Sequence, residues 1–373
     1  VLWWTPLIES YHQIKQCGVY KCIFTVDRNV LQDENTKAVL FYGSEISLSD
    51  LPLPRQPDHI WALFHEESPK NVPFLQFNDV LQHFNLTSTF SRHSNLPLTT
   101  HFVKNLDILT SQKYLVPIGQ KSKLRKEEKL APVVFLQSIC DTMSGRDEYV
   151  RELMQYIEVD SYGLCLHNKD LPEPLSKNYL QTIDSPELYK FLARYKFVLA
   201  YENGVCNDYI TEKFWRPLII GSIPVYYGSP TIRNWLPNKN SAILIEEFES
   251  PKQLATFLKH LDHNDQEYNK YLDHKYSVIE PITNEFLIKS FDKRDYYGEN
   301  MFEEFECFVC KQMHKRTLTN ANQNHYDCEE GLRFPKMSAK MPSHDWESII
   351  IHGKCRANTL NYFLNKNRNF TSK

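Results

Sequence analysis

Four polar side chains, Tyr209, Glu212, Lys213 and Arg216, recur at intervals of three and four and so fall on one face of a helix. The spacing predicts that helix over residues 209–220, with Asp208 as N-cap and Gly221 as its stop. A polar face that begins at a helix N-terminus can hold an anion, because free N–H groups and the helix dipole both favour negative charge there. From periodicity alone its plainer reading is a solvated face with a local ion pair. Arg146 falls in the first turn of another expected helix, where a guanidinium and free backbone N–H groups can share a phosphate. Its plainer reading is a surface arginine. Two further carboxylates, Glu66 and Glu67, follow the apolar run 60–64 and precede Pro69, which stops the strand. Neighbours on an extended chain point to opposite sides, so only one of the two can face a given cleft.

These residues need elements to hold them. Residues 197–201 and 223–227 are short apolar runs, suited to strands buried on both faces. With the loop 202–207 and the helix between them they form a strand, loop, helix, strand unit, expected as a right-handed parallel crossover. Ile210, Phe214 and Leu218 give that helix a stripe to pack on the sheet. Ligands of open α/β sheets bind beyond the carboxyl ends of the strands, where Glu202 and Asn203 lie. Further strands are expected at 1–6, 38–42, 60–64, 133–137, 159–162 and 242–245. Residues 144–147 read as a capping box opening a helix that runs to about residue 157. The charged stretch 121–131 reads as a solvated linker. It divides a first domain, 1–120, from a second, 132–300, and a C-terminal segment, 301–373, follows. Beyond residue 310 little periodicity is visible.

A chain of 373 residues is long for one core and suits two domains. A net charge of −3 argues against nucleic acid as a partner. No run of about 18 apolar residues offers a membrane span, and Val1 opens no signal-peptide pattern. The nine cysteines are an odd number, so at least one is left unpaired within the chain. Asn85 and Asn369 begin glycosylation sequons, which matter only in a secretory protein. No Gly-x-Gly-x-x-Gly, Walker loop or nucleophile elbow is present. No Asp-x-Asp occurs either, so a metal-chelated diphosphate is not expected.

The segments Tyr195-Lys-Phe197, Glu202-Asn203, Asp208-Tyr-Ile-Thr-Glu-Lys213, Pro224-Val225 and Gly228 together resemble the donor-binding region of the α-1,3-fucosyltransferase family. Trp3-Trp-Thr-Pro6, Cys22 to Arg28 and His65-Glu-Glu-Ser-Pro69 resemble the family's N-terminal half, in order. The resemblance spans residues 1 to about 310. It implies an α/β fold of two facing Rossmann-like domains, the GT-B type, with the site in the cleft. It implies inverting transfer of fucose from GDP-fucose, with no cofactor beyond that donor; the missing Asp-x-Asp leads to the expectation of no catalytic metal. Carried over residue by residue, it makes Glu67 the general base and puts Arg146 and Lys213 on the departing diphosphate. It gives Tyr209 and Glu212 donor contacts, and Glu202 and Asn203 a part in holding the nucleotide.

His65-Glu-Glu-Ser-Pro-Lys-Asn71 and residues 91–100 look most like a divergent branch implicated in fucosylating Ser or Thr of EMI-domain proteins in the endoplasmic reticulum. N-acetylglucosamine on an N-glycan is the alternative acceptor. A non-catalytic lumenal nucleotide-sugar or glycan binder is the alternative from another class. The resemblance also implies the lumen of the endoplasmic reticulum or Golgi, with membrane attachment only through an N-terminal anchor outside this sequence. Cys307, Cys310 and His314 could form half a zinc site. The implied oxidising compartment favours disulfides instead, with Cys17 and Cys22 as natural partners of Cys307 and Cys310 and the connectivity left open.

Overall fold

Two sheets, each sandwiched between apolar layers, meet with their strand ends toward one another. The computed structural model describes residues 1–69, 71–177, 182–292, 300–316, 318–328 and 346–366. The first sheet contains β1 (Leu2–Thr5), β2 (His12–Cys17), β3 (Tyr20–Thr25), β4 (Ala38–Tyr42), β5 (Ile60–His65) and β6 (Leu86–Thr89), in the order β2-β3-β1-β4-β5-β6. All neighbours pair in parallel except β2 with β3, an antiparallel hairpin at the edge. Sequence pattern did not give that hairpin. Five of the six residues of β2 are exposed or half-buried, so no apolar run marks it.

The second sheet contains β7 (Val133–Leu136), β8 (Val159–Tyr162), β9 (Phe197–Tyr201), β10 (Ile223–Tyr227) and β11 (Ile243–Leu244), all parallel, in the order β11-β10-β9-β7-β8. Strand order reverses between β7 and β9. That switch point of a doubly wound sheet opens a crevice at the carboxyl ends, between the connections that leave these two strands. The helix Glu212–Ile220 crosses from β9 to β10 and buries Phe214, Trp215 and Leu218 in the core on one face. Each such large apolar side chain contributes roughly 2–3 kcal/mol by burial. The helices Arg146–Leu153 and Pro251–Asp262 cover the other face through Leu153, Leu254 and Leu258. Val103 and Leu109 also pack into the second sheet's core.

Four local expectations are corrected. The crossover helix starts at Glu212 with Thr211 as N-cap; Asp208 instead takes a left-handed φ of 65° and lies outside the helix. Residues 144–147 form no capping box. The N-cap is Gly145, also left-handed, and the Ser144 hydroxyl donates to the Glu202 carbonyl. The stretch expected as a linker is helical through Ile118–Glu128, and its Lys121 is fully buried. The C-terminal segment carries two long helices. Met301–Lys315 lays Phe305 and Val309 on one face of the first sheet, and Trp346–Lys366 lays Ala357 and Leu360 on the other.

Disulfides join Cys17 to Cys307 and Cys22 to Cys310, tying the first of these helices to the edge hairpin. Cys140 pairs with Cys165, Cys206 with Cys328, and Cys355 is unpaired and exposed. The zinc reading of Cys307 and Cys310 therefore falls. The Asn85 amide is spoken for. It accepts from Arg55 Nη2 at 2.7 Å and from the Trp61 N–H at 3.1 Å. Asn369 lies outside the described residues. Among the described residues no helix is long and apolar enough to cross a membrane.

Candidate active site

β5 ends at His65, and Glu66 and Glu67 follow it; the three ionisable residues part company. His65 is fully buried, its Nδ1 is 2.6 Å from the Tyr326 hydroxyl, and burial drives its pKa down to about 3. Glu66 turns back into its own half, where Oε1 accepts from the Tyr42 hydroxyl at 2.8 Å and burial pushes its pKa up. Glu67 turns the other way and reaches the second half. Its Oε2 accepts from the Tyr209 hydroxyl at 3.2 Å and from Asn203 Nδ2 at 3.3 Å. The alternation expected of an extended chain thus decides which glutamate faces the cleft. Ser68 Oγ donates to Asn203 Oδ1 at 2.8 Å, so both ends of that amide are held by the first half.

On the other side, the loop after β9 supplies Glu202, Asn203 and Tyr209. Glu202 is fully buried, and its carboxylate accepts from the Thr211 N–H and the Thr211 hydroxyl, each at 2.8 Å. It braces the helix start. A side chain at Gly228 would run into it, since a Cβ there would lie 2.5 Å from Glu202 Cγ. Burial raises Glu202 to about 7, against the pull of Lys213. Lys213 Nζ donates to Thr211 Oγ1 and Glu212 Oε1, both at 3.1 Å, and lies 3.8 Å from Glu202 Oε2. Burial alone would raise the Glu212 carboxyl and lower the Lys213 ammonium. The opposite charges win in both, holding Glu212 down at about 2 and moving Lys213 up. Arg216, one turn on, is buried and helps hold Glu212 down, and its Nε finds no partner among the described residues.

Arg146 enters from the connection that leaves β7. It is 3% exposed, a depth that would suit a core residue, yet its hydrogen-bonding capacity is not used up. Nη1 donates to the Tyr201 carbonyl at 3.0 Å and Nη2 to the Ile139 carbonyl at 3.2 Å, while Nε has no partner among the described residues. Burial lowers its pKa, and Glu202, Tyr209 and Glu212 oppose that shift. A guanidinium held at a switch point with a donor unspent is suited to a ligand oxyanion.

All seven expected residues thus collect at the carboxyl ends of the two sheets. Tyr209 differs from expectation in its element, being a loop residue ahead of the helix rather than part of its polar face. Its ring meets Phe90 edge-on at 5.0 Å, and burial holds its hydroxyl well above the ordinary tyrosine pKa, so it stays a donor. Sequence reasoning gave no role to Ser68, Thr211 or Arg92, and to Asp208 only that of a helix N-cap. The Arg92 guanidinium bonds the Asp208 carboxylate across the cleft at 2.5 and 2.7 Å. Nothing in the spacing of two residues so far apart in the chain announces that pair. Arg92 also borders a cavity of about 700 Å³ with Leu96, Trp235, Phe286 and Phe308, and none of the seven lines it.

Comparison with known proteins gives two family matches. Residues 1–100 match "Fucosyltransferase, N-terminal" and residues 125–327 match "Glycosyltransferase family 10 (fucosyltransferase) C-term". The chain is 45% identical over 381 residues to "Alpha-(1,3)-fucosyltransferase B" of Drosophila melanogaster, covering 99% of this chain and 85% of that one. It is 44% identical over 394 residues to "GDP-fucose protein O-fucosyltransferase 3" of Homo sapiens, covering 100% of this chain and 81% of the relative. A protein of the same name from Danio rerio is 45% identical over 388 residues, with 100% and 83% covered. Among solved structures, "Crystal Structure of alpha1,3-Fucosyltransferase with GDP-fucose" aligns at 16% identity and a TM-score of 0.45, over 78% of this chain and 81% of that one, a likeness too slight to place any residue.

Proposed function

The chain belongs to glycosyltransferase family 10, the fucosyltransferases, and from that premise we propose that it transfers fucose from GDP-fucose to a Ser or Thr hydroxyl of a protein acceptor, with inversion. One observation carries the residue assignment. Glu67 leaves the first sheet and places its carboxylate against Asn203 and Tyr209 of the second, beside the start of the Glu212–Ile220 helix. A carboxylate there can take the acceptor's hydroxyl proton as that oxygen attacks the anomeric carbon of fucose. The bond from that carbon to the diphosphate breaks, GDP leaves with the electron pair, and its growing charge meets Arg146 and Lys213. Preorganised cations in a dry site contribute on the order of 3 kcal/mol or more. Attack from the face opposite the leaving group turns the β-linked donor into an α-linked product. Asn203, Tyr209, Glu202 and Glu212 hold the donor and the helix start in place.

The acceptor reading rests on the motifs at 65–71 and 91–100 and on the printed names of the relatives, and it narrows to EMI-domain proteins. Four disulfides suit an oxidising lumen, so we place the protein in the endoplasmic reticulum or Golgi. The test is GDP release and mass gain with GDP-fucose and two acceptors, an EMI-domain protein and a lactosamine glycan, each with and without EDTA. A fucose added to the EMI domain, undiminished by EDTA, is expected. Transfer to lactosamine alone moves the acceptor to the glycan. Transfer to neither, with tight GDP binding, leaves a binder. Loss of activity in EDTA that manganese restores ends the metal-free reading.

A further inference from the structure

We infer that Arg92 and Asp208 are positioning residues for the transfer: their ion pair across the cleft fixes Tyr209, whose hydroxyl aims the Glu67 carboxylate. The inference rests on the reading of Glu67 as the base. Asp208 adopts a left-handed φ of 65°, a conformation uncommon outside glycine that aspartate tolerates and that its surroundings can hold in place. They do so here. Its N–H donates to Ser229 Oγ at 2.8 Å and Thr231 Oγ1 at 3.0 Å. Its Oδ1 accepts from Arg92 Nη2, Thr231 Oγ1 and Trp235 Nε1, and its Oδ2 from the Arg92 N–H and Nε. The carboxylate is buried, yet the bonds from Arg92 and Thr231 outweigh burial and hold its pKa below the ordinary range.

Three of those five donors belong to one residue of the first half. Arg92 is itself seated, with its guanidinium over the Phe286 ring at 4.5 Å. The preceding flank of the loop is tied as well. Cys206 is joined to Cys328, and Asn207 Nδ2 donates to Asp327 Oδ2 at 2.6 Å. Between these ties the left-handed turn at Asp208 sends the Tyr209 side chain into the cleft and leaves Thr211 to start the helix. A base displaced by even a fraction of an ångström loses reach to the acceptor proton, a loss that appears in turnover rather than in donor affinity. The fork geometry is required, because a lysine ammonium cannot make the paired Nε and Nη2 bonds.

The test is a double-mutant cycle in kcat, with GDP affinity by calorimetry and Tm beside it. Arg92→Lys and Tyr209→Phe should each lower kcat about tenfold, with the GDP affinity of Arg92→Lys within about threefold of wild type. The double variant should lose about tenfold as well, since the pair acts through that one hydroxyl. A part in folding alone would lower Tm and active fraction and make the losses multiply, to about a hundredfold. Multiplied losses, a wild-type kcat for Arg92→Lys, or GDP affinity falling with kcat in Arg92→Lys each overturn the inference. If Arg92→Lys is not recovered folded, Asp208→Asn takes its place in the cycle, because asparagine also tolerates the left-handed turn. Glu67→Gln is measured alongside. If it turns over normally, the base assignment falls and the positioning role with it. If it is dead while the losses multiply, only the positioning role falls.

Discussion

Both ends of the second sheet hold deeply buried cations, and they hold them differently. At the amino end Lys121 is fully buried, and its Nζ donates to the carbonyls of Tyr195 and Gly221 and to Ser222 Oγ, each at 2.8 Å. Lys275 caps the same region, reaching the carbonyls of Ser111 at 2.8 Å and Ile219 at 2.9 Å. These ammoniums meet the C-terminal carbonyls of the Glu212–Ile220 helix, where cations are favoured. At the carboxyl end Arg146 is as deep, but its Nε has no partner among the described residues, and Lys213 is shared among carboxylates that have displaced pKa values of their own. Burial of a charge does not mark a site. A buried charge whose donors are spent on backbone oxygen is architecture, and one with donors in reserve at a switch point is ready for a ligand.

Substitution at the two ends should therefore separate function from stability. The largest effect is expected at the carboxyl end, where Arg146→Ala and Lys213→Ala should each lower kcat/KM for GDP-fucose by a hundredfold or more, roughly 3 kcal/mol, with folding retained. Unchanged kinetics in both variants would remove the distinction. The next effect comes from pH. The Glu202 carboxyl sheds its proton near the ordinary value of 4.5 when unfolded but holds it to about 7 in the folded protein. Between those values the folded state binds more protons, so stability falls as the pH rises, and above about 7 the difference is constant. The span corresponds to roughly 3 kcal/mol. Glu202→Gln, which stands in for the protonated form, should gain Tm relative to wild type between pH 5 and pH 7 and no further. A parallel pair of Tm curves would contradict it. The smallest effect belongs to the amino end. Lys121→Met strips the Gly221 carbonyl of its donor and leaves the Ser222 hydroxyl and the Tyr195 carbonyl only each other, at 2.7 Å, a cost of about 2 kcal/mol, read as a drop of several degrees in Tm with KM for GDP-fucose unchanged. A raised KM with normal Tm would reverse the assignment of the two ends.

The same contrast explains what could be read from the chain. The β9, helix, β10 unit was legible because both strands are continuous apolar runs and the helix keeps its apolar residues in register. Glu67 was legible because a proline two residues on fixes the strand tip, alternation lets only one of the two glutamates face the cleft, and the family resemblance of Glu67-Ser-Pro69 chose between them. The helix start was not. Asp208 is a better N-cap than Thr211 by local preference, but its carboxylate is claimed by Arg92, a residue 116 positions away in the chain. The C-terminal helix escaped for a different reason. Ile349 and Ile351 are 39% and 59% exposed on either side of the buried Ile350, so the apolar run has no face. Long-range claims on a side chain, and apolar residues left on the surface, are both invisible to local pattern.

The central claim is that the carboxylate facing the cleft at the tip of β5 takes the acceptor's proton. Turnover of GDP-fucose by Glu67→Gln and Glu66→Gln, with GDP affinity by calorimetry, tests it directly. Glu67→Gln keeps the shape and the hydrogen-bond acceptor facing Tyr209 but cannot take a proton. It should lose about a hundredfold or more in kcat while GDP binds as in wild type, and Glu66→Gln should be far milder. An inactive Glu66→Gln beside an active Glu67→Gln would contradict the account, and normal turnover by both would move the base out of this strand tip altogether.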